Sequence, residues 1–417
     1  MPILLRSIVP FTKRMWVRIA GIAGLALVAL GLTSVAGDVL PDWLTDWVGQ
    51  GAVDGLLSVM AGSMLAAIVF TLSVMVTLHR AVASTWTPRA HRLMVQDNVT
   101  LTAVAVFIGG WVYSLAGLAL REAGMIGRTE SAFLFLTTVL VLALLVVVLV
   151  RWAVHLSDLG SLEETGELVE RVTRKAIRAR SERPALGASV LREEVTIPAG
   201  YEAVRAEVTG WVAEIDVEAL SEKCEARGVP VFVTVPPGRF VAAGGVIAMA
   251  PPEMNEAVVA AVRLTDLRNH EQDPRFGIIT LSEIAQRAMS PGVNDPGTAI
   301  EVVGRLLRAL LDWKPERAIP PEHPLVFAPP ARADAMVEEA FAPIARDGRG
   351  HVEVLDHVLK ALLRLARHPD LAMAGAAREV GREVLERARK ALEVPAEVAH
   401  LERIWREGDA PAVTGAA

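Results

Sequence analysis

Residues 132–150 read AFLFLTTVLVLALLVVVLV, an apolar run without one charged side chain. A helix rises about 1.5 Å per residue, so about 20 such residues cross the roughly 30 Å hydrocarbon layer of a bilayer. This run, taken as Ala132 to Val154, is preceded by three others: roughly Ile19 to Ala36, Leu56 to Leu78 and Val99 to Leu120. None follows it. The expected fold class is an α-helical membrane domain of four transmembrane helices, followed by a cytoplasmic α+β part.

Charge sets the expected orientation, because Lys and Arg in short loops are retained on the cytoplasmic side. Arg6, Lys13, Arg14 and Arg18 precede the first run, whereas Asp38, Asp42, Asp46 and Asp54 follow it with no Lys or Arg among them. Arg80, Arg89 and Arg92 occupy the next connection, and the one after is mixed. Arg151 and the cluster Arg171, Arg174, Lys175, Arg178, Arg180 and Arg183 come after the fourth run. The pattern reads in, out, in, out, in, which puts both termini on the cytoplasmic side of the plasma (inner) membrane. A cleavable signal peptide ending near Ser34-Val35-Ala36 is the rival reading of the first run. Trp16, Trp43, Trp47, Trp86 and Trp152 fall at run ends, where indole rings favour the headgroup zone.

No run holds a charge in its apolar core, which argues against a proton-coupled pump. Small and hydroxylated residues stand there instead. Gly62 with Ala66, and Ala105 with Gly109, are small-xxx-small pairs that let helices approach closely, within one subunit or between subunits, and a homo-oligomer is the expectation built on them. Ser63, Thr71, Ser73 and Thr77 are candidates for lining a conduit at an oligomer axis, although no filter motif accompanies them.

The net charge of −6 over 417 residues gives no basic surface for nucleic acid. With two tyrosines and no stripe of cations among aromatics, a base-stacking platform is also unsupported. Cys224 is the sole cysteine, which excludes an internal disulfide and any metal site built on a cluster of cysteines. No cofactor is expected. The expected partners are the lipid bilayer and further copies of the chain, with any small ligand or ion left open.

Beyond the runs, residues 156–190 read as an amphipathic juxtamembrane helix starting near Ser161, with Leu168, Val172, Ala176 and Ile177 on one face. A solvated stalk and a helix resting on anionic headgroups are its two readings. Residues 191–252 carry short β-branched runs punctuated by Gly and Pro, and predict a small β-barrel or sandwich. Gly-Trp-Val at 210 and Gly-Arg-Phe-Val-Ala-Ala-Gly at 238 loosely resemble biotinyl- and lipoyl-carrying sandwiches. Lys223, the segment's one lysine, lies in a predicted helix, which argues against a swinging arm. Residues 253–407 read as a helical domain, with Leu355, Val358, Leu359 and Leu362 at helical spacing. The stretch Lys314 to Pro330 is its clearest loop, and residues 408–417 are an expected disordered tail. Thr280-Leu281-Ser282-Glu283 reads as a capping box opening a helix.

The densest chemistry lies in two turns, Arg268-Asn-His-Glu-Gln-Asp-Pro-Arg-Phe-Gly277 and Ala285-Gln-Arg-Ala-Met-Ser-Pro-Gly-Val-Asn-Asp-Pro-Gly-Thr-Ala299. A short helix between them would set the two loops side by side. Asp273 and Asp295 each suit a helix N-cap followed by Pro. Alternatively Gln272, Asp273, Arg287, Ser290, Asn294, Asp295 and Thr298 form a ligand or anion pocket fed by helix N-terminal amides. His270, Asp273 and Asp295 are of the right types for a divalent ion, but no ligand pair at helical spacing supports a metal. No nucleophile elbow, Walker loop or dinucleotide fingerprint stands in its context, so no catalytic residue is assigned.

These phrases resemble a bacterial family of predicted membrane proteins, domain of unknown function 2254. The resemblance rests on Gln272-Asp273-Pro274, Phe276-Gly277, Ser290-Pro291-Gly292, Asn294-Asp295-Pro296 and Thr298-Ala299, with the Trp86-Thr87-Pro88-Arg89 turn. It implies a multi-span membrane protein with a cytoplasmic C-terminal part and assigns no activity. The function expected is a homo-oligomer with a channel-like, transport-like or scaffold role. A membrane-tethered sensor or hydrolase at the two Asp-Pro loops is the alternative.

Overall fold

The computed structural model describes residues 15–36, 50–85, 87, 89, 98–126, 128–158, 162–314 and 320–409. The chain divides into two compact units, one of residues 1–85 and 91–161, the other of 86–90 and 162–417.

The first unit is helical: α1 (Met15–Ala36), α2 (Gln50–Thr85), α3 (Asn98–Glu122) and α4 (Arg128–Asp158). Among the described residues three stretches are long and apolar enough to cross a membrane, at Ala52–Thr77, Val99–Glu122 and Glu130–Leu156. The fourth expected span coincides with α1, which packs along α3. Met60, Met64 and Ile68 of α2 meet Phe107 of α3 and Leu145 and Trp152 of α4 in one core; Val53, Leu57, Tyr113 and Leu134 form another. Close approach is set by glycine. A Cβ on Gly110 would stand 2.9 Å from Leu145, and one on Gly109 would press into Ile22.

Tyr113 satisfies its buried hydroxyl on Thr137 (3.0 Å) and Thr138 (3.1 Å), as a polar group in an apolar bundle must. Arg121 reaches Asp54 (Nη2 to Oδ2, 3.0 Å). Trp152 departs from the interfacial role expected of it. It is buried, edge-on to Phe70 and Phe107, and so fills the core. Trp43, Trp47, Trp86, the side chain of Trp16 and the tail beyond Asp409 lie outside the described residues.

The second unit opens with α5 (Leu162–Glu182), whose buried face is Val169, Thr173, Ala176, Ile177 and Arg180. That face packs on two helices of the same unit, so the apolar side of α5 belongs to the unit's core. There follow β1 (Ala188–Val190), β2 (Glu202–Arg205), β3 (Gly210–Ile215), α6 (Val217–Arg227), β4 (Val231–Val233), β5 (Phe240–Val241), β6 (Val246–Ala250), α7 (Asn255–Ala261) and β7 (Val262–Thr265). The rest is α8 (Pro274–Ala288), α9 (Pro296–Leu310), β8 (His323–Ala328), α10 (Ala333–Asp347), α11 (Val352–Leu365), α12 (Leu371–Ala391) and α13 (Pro395–Asp409).

The strands make two sheets, ordered β1-β8-β4-β6-β2 and β5-β3-β7. They share one core, in which Val204, Val231, Ile247 and Val326 of the first meet Val212, Ile215, Val241 and Val262 of the second. No closed barrel of residues 191–252 results. Strand β8, drawn from the stretch expected to be a loop, runs parallel to both β1 and β4 and stacks Phe327 on Phe232 at 4.8 Å.

In the helical part Leu355, Val358, Leu359 and Leu362 are fully buried. Helix α5 is bound to α9 and its end by charge: Glu170 takes Arg305 (3.1 Å) and Arg308 (2.8 Å), and Asp312 takes Arg174 (2.7 Å) and Arg178 (3.0 Å). Helix α8 starts at Pro274 and contains the expected capping box; Thr280 donates to the Phe276 carbonyl instead of capping. Gly277 lets it touch α5, since any Cβ there would overlap the Thr173 hydroxyl.

Candidate functional site

The first turn is a buried joint between the β and α parts of the second unit. Gln272 grips the end of β3, accepting from the Ile215 amide (2.9 Å) and donating to its carbonyl (3.2 Å). Asp273 occupies the N-cap position of α8 but makes no capping bond. Its carboxylate pairs with Arg268 at 2.5 Å and is 3% exposed as a residue. Gly238, at φ 81°, lies against that carboxylate with no room for a Cβ.

Arg268 lies over the Trp211 ring (5.5 Å) and the Phe276 ring (5.3 Å). Arg89 approaches the same Phe276 at 5.8 Å and pairs with Glu283. Arg89 is therefore fastened to α8 within the second unit.

Burial dominates the electrostatics of this joint. It lifts the Asp273 carboxyl above its usual range, against the pull of Arg268. It lowers Arg180 to about 10, with Asp273 holding the charge in place. The Arg180 Nε and Nη1 are buried without a hydrogen-bond partner, while Nη2 donates to the Pro329 carbonyl at 3.4 Å. His270 is pushed down to about 4 by burial first and Arg268 second, so its ring is neutral against Phe276, 4.4 Å away.

The second turn is a self-contained helix connection. Asp295 caps α9, accepting from the Thr298 amide (3.1 Å) and hydroxyl (2.5 Å), and these bonds hold its carboxyl below the usual range. Ser290 donates to the Arg287 carbonyl (2.7 Å), and Asn294 takes a φ of 50° while donating its amide to Ser290 (2.9 Å).

The two Asp-Pro turns stand at opposite ends of α8. Fifteen residues of helix separate them, about 22 Å. The expected pocket combining Gln272 and Asp273 with Arg287, Asn294, Asp295 and Thr298 is thus not assembled, because the intervening helix is longer than the capping box suggested. For the same reason His270 and Asp273 do not meet Asp295, and no cluster able to hold a metal occurs among the described residues.

One member of the second turn does border a cavity. Ser290, with Gln286, Met289 and Pro291, forms one wall of a 790 Å³ cleft closed by Asp347, Arg349, Gly350, His351, Arg387, Lys390 and Ala391. Sequence reasoning missed the far wall, which comes from the α10–α11 turn and the end of α12. Its one local signal was the spacing of Arg387 and Lys390 on a single helix face.

The proposed conduit residues divide. Thr71 is buried in the bundle and donates to the Ala67 carbonyl (2.7 Å), whereas Ser63, Ser73 and Thr77 are exposed. Ser73 and Thr77 donate to the carbonyls of Val69 (2.8 Å) and Ser73 (2.9 Å).

Both polar turns, the apolar helices and β8 all fall inside the reach of one family pattern, described as predicted membrane protein (DUF2254), which matches residues 12–364. The chain belongs to this family. The match takes in Arg349 and His351 of the cleft and ends before Arg387 and Lys390. The chain is also similar to uncharacterised proteins of Mycobacterium bovis and Mycobacterium tuberculosis. Each is 25% identical over 293 residues, 66% of this chain and 55% of the relative. The chain thus spans about half the length of the curated relatives it matches. No solved structure matches it significantly.

Proposed function

We propose that this family member is a homo-oligomeric integral membrane protein with a channel-like, transport-like or scaffold role, whose second unit serves assembly or gating in the cytoplasm. One observation carries the reading. Gly55, Ser58, Gly62, Ala66, Ser73 and Thr77 fall along one side of α2, and all are exposed. Nothing stands within 4 Å of a Cβ built on Gly55 or Gly62, whereas those on Gly109 and Gly110 would meet neighbours inside the unit.

Lipid offers no hydrophobic drive between helices, so association depends on close backbone approach over small residues. A second copy of α2 supplies that complement. In such an assembly Ser73 and Thr77 would present uncharged hydroxyls at the helix contact, which suits a conduit without a charged filter. Helix α1 acts as the fourth span, and the Lys/Arg bias of the loops sets both termini in the cytoplasm of a bacterial inner membrane.

Native mass spectrometry of the full chain in detergent is expected to give a multiple of the subunit mass, and Gly62→Ile to give monomer. A monomeric wild type, or an oligomer indifferent to Gly62→Ile, would sink the reading. Conductance in reconstituted bilayers that survives replacement of Ser63, Ser73 and Thr77 by Val removes the conduit version alone.

A further inference from the structure

We infer that the 790 Å³ cleft between the α8–α9 turn and the end of α12 binds a phosphorylated small molecule carrying at least two negative charges.

Several arginines of this unit are held by carboxylates. Arg174 and Arg178 share Asp312, Arg305 and Arg308 share Glu170, and Arg263, Arg275 and Arg332 have Glu214, Glu339 and Asp334. A second groove, of about 540 Å³ along α5, is lined by Arg171, Arg174 and Arg178, each with a carboxylate, and by Lys175. The cleft is different. Lys390 has no carboxylate partner among the described residues, and Arg387 has Glu383 no nearer than 3.9 Å. Arg349 bonds the Arg346 carbonyl at 3.2 Å. The cleft's one carboxylate, Asp347, is engaged by Arg346 at 2.9 Å. Arg349 and Lys390, from two separate segments, therefore line the cleft without a carboxylate partner among the described residues, and Arg387 beside them has only its long contact to Glu383.

Helix ends give a competing account, because cations suit helix C-termini, and α8, α10 and α12 all end near this cleft. Each end is worth roughly half a negative charge, so the three together offset about half of the three positive charges. The remainder calls for an anion. Two guanidinium groups favour phosphate, whose oxygens accept paired N–H bonds. Met289 and Pro291 give the opposite wall an apolar part beside Gln286 and Ser290, and the volume falls in the range of small-molecule sites, so the ligand carries an organic part beside its phosphate.

Three probes test this on the full chain in neutral detergent by isothermal titration calorimetry: pyrophosphate, ADP and dioctanoyl phosphatidic acid. The expected result is saturable, salt-sensitive binding of one probe molecule per chain, weakened at least about tenfold in R387Q/K390Q. Arg349→Gln, on a separate segment, is expected to weaken binding as well and guards against a local fault in α12. Binding of pyrophosphate or ADP assigns the phosphate to a soluble molecule; binding of phosphatidic acid alone assigns it to a lipid headgroup. Absence of binding by all three, or binding that the variants leave unchanged, overturns the inference.

Discussion

Replacing Asp273 by Ala tests whether the first Asp-Pro turn is a buried charge joint and not a helix cap. The Asp273 side chain is 4% exposed and its partner Arg268 13%, with Arg180 buried nearby. Removing the carboxylate leaves one guanidinium unpaired and a second without the charge that supports it. Breaking a buried pair from one side costs about 3–5 kcal/mol, because the remaining charge stays desolvated. Loss of a cap costs about 0.5–2 kcal/mol, which is the expectation for Asp295→Ala at the second turn.

Hydrogen–deuterium exchange on the full chain in micelles separates the two. A loss of 3–5 kcal/mol speeds opening of α8 a hundredfold or more at about 1.4 kcal/mol per tenfold, whereas the first turn of α9 in Asp295→Ala changes about 2- to 30-fold. Equal effects at the two aspartates, or α8 amides untouched by Asp273→Ala, would refute the reasoning.

Three further outcomes follow from the same joint and its neighbour. His270 is neutral when folded, with a pKa near 4 against 6.5 in the open chain. The unfolded chain therefore binds a proton that the folded one refuses, so stability is full above pH 6.5 and falls toward pH 4 by up to about 3 kcal/mol. Urea unfolding at pH 7 and pH 5 should show this slope reduced in His270→Phe, and parallel profiles would contradict it. Gly238→Ala forces a side chain into the left-handed region and into the Asp273 carboxylate, and should cost at least about 2 kcal/mol in the same assay. Glu170→Gln strips Arg305 and Arg308 of their buried partner and should cost about 3 kcal/mol. The pull of those arginines holds the Glu170 carboxyl below its usual 4.5 despite burial, so its contribution is intact above that pH and is lost as pH falls through the lowered value.

What the sequence disclosed, it disclosed through local pattern. Apolar length marked the helices α2, α3 and α4, and the 3.6-residue period marked the buried face of α11. Asp295-Pro296 named its own cap, because the residues that satisfy a cap are three positions away. Long-range pairing left no such trace. The segment of β8 is short and Pro-flanked, and its neighbours β1 and β4 lie far back in the chain, so it read as loop. Asp273 looked identical to Asp295 locally, but Arg268, Gly238 and Arg180 converge on it through the tertiary fold. The cleft escaped notice for the same reason, its walls being drawn from α8, the α10–α11 turn and α12. In α5 the predicted apolar face kept Ala176 and Ile177 but took half-buried Leu168 and Val172 in place of buried Val169 and Thr173, and it left out Glu170 and Arg180, polar residues satisfied or supported only by distant charge.

In the proposed function lipid surrounds the first unit and the second lies on the cytoplasmic side. Cys224 is buried and its thiol is pushed up to about 11, so it stays silent to maleimide and a single reporter cysteine can be placed at exposed Glu207. With Glu207→Cys expressed in bacteria, an impermeant maleimide is expected to label inside-out membrane vesicles and to leave intact cells and spheroplasts unlabelled. Labelling in intact spheroplasts, or recovery of the protein in the soluble fraction without detergent, would contradict it.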